Sequence, residues 1–126
     1  MDPILKVPIK NKYAQVVSIL FNARTNAHIA HLQSKSYAQH KALDDFYTQV
    51  VDLADSFAES AQGTQGIIQG YTLGNLNTQD ITSYLKAQQE ELLKLRNQFT
   101  EGHLIQLIDD MQELYTSTIY KLVNLK

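Results

Sequence analysis

The stretch "GTQGIIQGYTLGNLNTQ", residues Gly63 to Gln79, contains four of the five glycines of a 126-residue chain. It also has five large apolar residues of its own: Ile67, Ile68, Tyr71, Leu73 and Leu76. A connection of about 16 residues can reach roughly 50 Å when extended, which is enough to run the full length of a helical bundle. Because an apolar loop left in water would expose a sizeable patch, we expect a packed crossover with these five side chains largely buried.

Apolar residues at helical spacing precede this stretch. We expect a first helix over about Asn11 to Leu32 and a second helix over about Tyr37 to Ala61. The short polar segment Ser34 to Ser36 joins them, and its serines can cap the second helix. Both prolines of the chain precede residue 11. We therefore expect residues 1–10 to form an N-terminal tail and residues 11–126 to form a single domain.

Helical spacing resumes after the stretch. The third helix should begin behind the capping-type residues Asn77 and Thr78 and end at Gly102, with a fourth helix following. Short joints make consecutive helices antiparallel, whereas the long connection lets the second and third helices run parallel. The predicted fold is an all-α, ferritin-like four-helix bundle with one long crossover between helices 2 and 3. The alternative is a plain up-and-down bundle with a floppy loop.

The composition narrows the range of partners. The formal net charge is −2 and the pI is near 6.0, so no overall basic field favours nucleic acid. Lys6, Lys10 and Lys12 make only a weak electrostatic case, and DNA is not an expected partner.

There is no cysteine, which excludes disulfides and thiolate metal sites. No apolar run approaches the ~20 residues that span a bilayer, and the first residues lack a secretory signal. We expect a cytoplasmic protein with no membrane partner.

Four residues of the second helix combine the chemistry and spacing of metal ligands. His40 and Asp44 are four residues apart, as are Asp55 and Glu59, so each pair lies on neighbouring turns and could hold one ion. The offset of eleven residues between the pairs is close to three helical turns, which places both on nearly the same face. The simpler interpretation of this spacing is a solvated polar face beside the apolar stripe.

One chain cannot bring both pairs to one ion. Eleven helical residues span roughly 16 Å, whereas metal ligands lie about 2 Å from their ion. A two-fold axis at the middle of the second helix would set His40 and Asp44 of one chain opposite Asp55 and Glu59 of a second copy. Each of the two equivalent sites would hold three carboxylates and one histidine, a set that suits iron better than copper or structural zinc. His31, near the end of the first helix, would lie beside His40 in a hairpin.

The segment "NAHIAHLQSKSYAQHKALDDFYTQVVDLADSFAESAQG" (residues 26–63) resembles the ferroxidase segment of the Dps family, the mini-ferritins that protect DNA during starvation. That family has a His-x-x-His near the end of its first helix and a His-x-x-x-Asp on its second. The resemblance implies an iron site shared between two subunits. Its ligands, which would also be its catalytic residues, would be His31, His40 and Asp44 of one subunit and Asp55 and Glu59 of its two-fold mate, with His28 as the outer histidine.

Two functions follow from these features. The first is an iron-binding protein that oxidises Fe(II) with peroxide or dioxygen and stores iron inside a homo-oligomer, thereby protecting against oxidative stress. The dimer would be its minimal unit, and the resemblance implies a twelve-subunit cage. Asp109, Asp110 and Glu113 of the fourth helix could line an acidic nucleation surface, although a solvated face explains them more simply. The alternative function is a non-enzymatic helical bundle that serves as an assembly or interaction module.

Overall fold

A computed structural model describes residues 11–126, and the predicted tail with Lys6 and Lys10 lies outside the described residues. The described chain forms four α-helices and no strand: α1 (Asn11–Gln33), α2 (Tyr37–Gln65), α3 (Ile81–Arg96) and α4 (Gly102–Asn124). The prediction of an all-α protein with four helices is confirmed. Within residues 11–126, no helix is both long enough and apolar enough to cross a membrane.

Side-chain caps fix the starts of α2 and α3. The Ser36 hydroxyl accepts a hydrogen bond from the Gln39 amide at 3.2 Å, as the serine joint predicted. The cap of α3 is Asp80 rather than Asn77 or Thr78. Its carboxylate accepts from both the amide and the hydroxyl of Ser83, and these two bonds lower the pKa of Asp80. The third helix therefore begins a few residues later than its sequence indicated.

Neighbouring helices of the bundle are antiparallel. In the square arrangement, α1 packs against α2 and α3, and α4 also packs against α2 and α3. Lys12 at the start of α1 donates to the carbonyl of Gln98, just beyond the end of α3. Arg96 at the end of α3 pairs with Asp109 near the start of α4 at 2.7 Å. The diagonal helices α2 and α3 consequently run parallel, and residues 66–80 travel the length of the bundle to connect them.

The core is closely packed where aromatic and aliphatic side chains of all four helices meet. Fully buried large residues include Leu20 of α1, Phe46 of α2, Leu85 of α3 and Tyr115 of α4. The rings of Phe46 and Tyr115 meet edge to face, with centroids 5.1 Å apart at 85°. This geometry is the favoured one for aromatic pairs.

A polar network crosses this core and links α4 to α1 through α3. The buried hydroxyl of Tyr115 donates to Gln88 Oε1 at 3.0 Å, and Gln88 Nε2 donates to the hydroxyl of Tyr84 and to the carbonyl of Ile19. Asn26 of α1 donates to the same Tyr84 hydroxyl at 3.1 Å. Burial raises the pKa of Tyr84 to about 12. Because an unsatisfied buried polar group costs free energy, the network fixes the register of these helices.

The crossover is held to α1 through its backbone. Ser18 Oγ accepts from the Thr72 amide at 2.9 Å, and Asn22 Oδ1 accepts from the Gly74 amide at 2.8 Å. Asn22 also donates to the Thr72 carbonyl, and Asn26 Oδ1 accepts from the amide of Asn77. Ser18, Asn22 and Asn26 are spaced four residues apart, so they form one line of hydrogen-bonding groups along α1. We call this line the α1 polar ladder.

The predicted burial of the crossover is wrong for four of its five apolar residues. Ile68 is buried, but Tyr71 is 46% exposed, Leu76 63%, Ile67 71% and Leu73 95%. The α1 surface under the crossover is polar, so it binds backbone groups rather than apolar side chains. The contacts run through the backbone amides of Thr72 and Gly74, and the side chains of residues 69–77 are all exposed.

The α1 polar ladder gives a stability prediction. Asn22→Ala removes both crossover hydrogen bonds of that side chain, so the free energy of unfolding should fall by about 1–3 kcal/mol. Proteolytic cleavage within residues 66–80 should become faster. Thr25→Ala, at an exposed position of the same helix, is the control and should change stability by less than about 0.5 kcal/mol. Equal cleavage rates in the two variants would show that the ladder does not hold the crossover.

Candidate functional site

Two histidines on either side of the short joint between α1 and α2 contact each other's backbone. His31 Nδ1 lies 2.7 Å from the carbonyl oxygen of His40, and His40 Nδ1 lies 2.9 Å from the carbonyl oxygen of His31. A carbonyl can only accept a hydrogen bond, so both Nδ1 atoms carry a proton and donate. The two rings are stacked, with centroids 3.7 Å apart and planes inclined by 22°. We call this arrangement the histidine clamp.

Aromatic rings extend the clamp along the hairpin. His28 stacks on Tyr47 with ring centroids 4.0 Å apart and planes inclined by 13°. His31 meets the same tyrosine edge to face at 5.4 Å, and Tyr37 lies 6.4 Å from His40. His31 is buried, whereas His28 and His40 are partly exposed. The hairpin therefore carries a continuous row of imidazole and phenol rings.

Asp44 borders this row. The pKa of Tyr47 is raised, first by desolvation and then by the nearby Asp44 carboxylate. Asp44 also lies 3.6 Å from Lys41, which makes the same contact with Asp45. Sequence reasoning placed Tyr47 on the apolar stripe and missed its polar contact. The available signal was its position three residues after Asp44, on the neighbouring turn of the helix.

The structure separates the predicted ligands into two groups. His28, His31, His40 and Asp44 lie together at the hairpin end of the bundle. Asp55 and Glu59 lie exposed on α2, eleven or more residues further along. In the described part of one chain, no group of three or more histidine or carboxylate side chains is arranged to hold a metal ion. The predicted iron site takes ligands from two chains, so it stays a prediction.

Ring geometry limits how the two clamped histidines could bind metal. A histidine binds an ion in the plane of its ring, at about 2 Å from the nitrogen. Planes inclined by only 22° with centroids 3.7 Å apart do not meet within that distance. His31 and His40 cannot therefore bind the same ion while both remain in the clamp. One ring would have to leave its carbonyl partner.

The observed arrangement defines a class: a small all-helical bundle with one long crossover and a histidine clamp at the joint of its first hairpin. The chain belongs to the "Family of unknown function (DUF5856)", whose model matches residues 31–122. The match begins at His31 and includes the clamp, the rest of α2, and all of α3, together with most of α4.

One curated protein shows a partial similarity. Over 56 residues the chain is 38% identical to the "Uncharacterized 14.6 kDa protein in mobD-ri intergenic region" of Enterobacteria phage T4. The aligned part covers 44% of this chain and 44% of the phage protein, so the chain spans less than half the length of that relative. No solved structure matches the chain.

The predicted membership of the Dps family is wrong. The family whose model matches is a different one, and the similar phage protein has no ferritin or Dps description. Three of the residues that carried the resemblance have local contacts. His31 and His40 form the clamp, and Asp44 pairs with Lys41 and lies beside Tyr47. The spacing of His31 and His40 is therefore also the spacing that lets the two helices of the hairpin make contacts across their joint.

The clamp predicts unequal effects of histidine replacement. His31→Ala removes a buried ring and its hydrogen bond to the His40 carbonyl, so the free energy of unfolding should fall by about 1–3 kcal/mol. His103→Ala, at an exposed position of α4, should stay within about 0.5 kcal/mol of the wild type. Chemical denaturation at neutral pH measures both values. Similar stability losses in the two variants would mean that the clamp contributes nothing specific.

Proposed function

We propose that the protein is a self-assembling helical module whose subunits pair through the crossover. The observation that carries this proposal is an apolar surface formed by residues of the crossover and of α1. We call it the crossover face; its residues are Phe21, Leu32, Ile67, Tyr71, Leu73 and Leu76, which are between 40% and 95% exposed.

The crossover face carries a strong driving force for association. Fully burying a leucine or isoleucine side chain gains about 1.5–3 kcal/mol relative to leaving it in water. Leu73 is 95% exposed and Ile67 71%, so most of each side chain is available for such burial. Since Ser18 and Asn22 hold the backbone on either side of Leu73, this side chain cannot turn inward without breaking those hydrogen bonds. Contact with another molecule would remove Leu73 from water without that loss.

A second copy of the chain is the partner that this surface fits best. Most soluble oligomers are closed homo-oligomers, two-fold dimers are the commonest of these, and a two-fold interface uses the same patch on both subunits. Two crossovers placed antiparallel would bring Tyr71 and Leu73 of each copy against the other. The outward edge of an extended segment can also pair with a second extended segment through backbone hydrogen bonds. The strip of α1 that carries Phe21 and Leu32 continues the face toward α2.

The helix order supports a narrower description of the bundle. The diagonal helices α2 and α3 are connected by one crossover that follows α1, which is the connectivity of ferritin-like bundles. We use that term for the topology alone, without any family relationship. A bundle of this topology leaves the outer face of its crossover and of α1 open to a two-fold partner.

Charge placed on the crossover face should prevent pairing. We expect the wild type to be at least a dimer by light scattering at micromolar concentration, and Leu73→Glu with Leu76→Glu to be a monomer, because both carboxylates would be desolvated at the interface. Leu93→Glu places a charge on an exposed leucine of α3 and should leave the dimer intact. A wild-type monomer, or a dimer in the double variant, would rule out assembly through this face.

A second candidate function is Fe(II) binding and oxidation by such a dimer. The specific observation that favours it is the orientation of the clamped imidazoles. In histidines that bind metals, the N–H of the second ring nitrogen commonly donates a hydrogen bond to a carbonyl. His31 and His40 both donate such a bond from Nδ1. We propose that Nε2 of one of these rings and Asp44 bind iron together with Asp55 and Glu59 of the partner copy. Carboxylates with imidazole suit iron.

Mixing two inactive variants tests the shared site. Asp44→Ala and Asp55→Ala should each abolish Fe(II) oxidation, followed by absorbance of the ferric product. After subunit exchange, a heterodimer has one doubly damaged site and one wild-type site, so part of the activity should return. No recovery despite confirmed exchange would reject a shared site. If a wild-type dimer neither binds nor oxidises Fe(II), the iron proposal fails while the assembly proposal stands.

A further inference from the structure

A groove of about 700 Å³ runs between α2 and α4, on the opposite side of the bundle from the α1 polar ladder. Its walls carry Asp45 and Asp52 of α2 and Asp110 and Glu113 of α4. Lys121 is the single cation among its described lining residues. Four carboxylates therefore face a shared volume with one ammonium group, in a chain whose net charge is only −2.

Two of the four groove carboxylates have partners, as do several acidic residues outside the groove: Asp45 lies 3.6 Å from Lys41, and Asp110 accepts a hydrogen bond from Gln106 at 3.1 Å. Asp109 pairs with Arg96, and Glu101 accepts a hydrogen bond from Tyr13 at 2.6 Å. Asp52 and Glu113 have no hydrogen bond or ion pair within residues 11–126. Facing like charges destabilise a fold unless a cation lies between them. The groove therefore has an excess of negative charge, which a positively charged ligand would neutralise.

A buried hydroxyl provides an independent sign of a ligand. Thr118 lines the groove but is only 3% exposed, which places it at the floor. Its hydroxyl has no hydrogen-bond partner within the described chain. Leaving a buried polar group unsatisfied costs about 1–3 kcal/mol. A donor entering the groove from outside would satisfy this oxygen.

We propose that this groove binds a linear polyamine. The four carboxylates do not converge as the ligands of a metal ion do, since no cluster of three acidic or histidine side chains in residues 11–126 can hold one. Asp45 and Asp52 are seven residues apart, roughly 10 Å along α2, which suits ammonium groups separated by methylene chains. Leu53 and Leu114 also line the groove, where they would contact those methylene groups. The Thr118 hydroxyl accepts an N–H of the amine.

Calorimetric titration with spermidine tests the proposal. Wild-type protein should bind spermidine more tightly than the shorter diamine putrescine, and Mg²⁺ at equal ionic strength should not displace it. Asp52→Asn with Glu113→Gln should weaken binding at least about tenfold, because two of the four facing charges are lost. Glu90→Gln with Glu91→Gln, at exposed positions of α3, removes the same two negative charges outside the groove and should have little effect.

Thr118→Val separates ligand binding from folding. The valine has nearly the same shape but no hydroxyl, so the melting temperature should rise while spermidine binding weakens several-fold. These opposite changes would not arise if the threonine were only a packing residue. Equal spermidine affinity in the wild type and the Asp52/Glu113 double variant overturns the proposal. Tighter binding of a lysine-rich peptide, or displacement by Mg²⁺, also overturns it in favour of those ligands.

Discussion

The α1 polar ladder is the interaction on which the rest of this structure depends. Ser18 and Asn22 bind the backbone of an extended crossover, which allows α3 to start at the opposite end of the bundle from the end of α2. The diagonal helices can then be parallel while all neighbours are antiparallel. Because these bonds hold the crossover through its backbone, Tyr71 and Leu73 stay exposed. A single line of polar side chains thus sets both the topology and the surface that we propose for assembly.

The histidine clamp stabilises the first hairpin with one nitrogen of each ring and leaves the other ring nitrogen outside the clamp. His31 and His40 donate to each other's backbone carbonyls across a joint of three residues, and the His31 carbonyl belongs to the last turn of α1, whose carbonyls lack helical partners. Their Nδ1 atoms are thereby engaged, but the clamp makes no use of Nε2. Stacking prevents the two rings from binding one ion together. The proposed iron site would therefore use one ring or open the clamp, and in the second case metal affinity would depend on the stability of the hairpin.

The crossover face and the groove lie on opposite parts of the bundle, since α1 and α4 occupy diagonal positions. The crossover face is apolar and suits a second copy of the chain. The groove is acidic and suits a cation that is extended rather than compact. The crossover face exposes large apolar side chains to water. The groove combines carboxylates with a buried hydroxyl. Each can be occupied without blocking the other.

The sequence by itself determined the four helices, the serine cap of α2 and the presence of one long crossover, because apolar periodicity and glycine placement are local signals. It also brought His31 beside His40. Burial in the crossover followed from the tertiary structure alone: whether Leu73 points inward depends on what α1 presents beneath it, and α1 presents Asn22. The hydrogen-bond partners of His31 and His40 were likewise decided by the tertiary structure. Spacing specifies which side chains can meet, whereas only the packed hairpin determines that each imidazole turns to the other's carbonyl rather than to a shared ion.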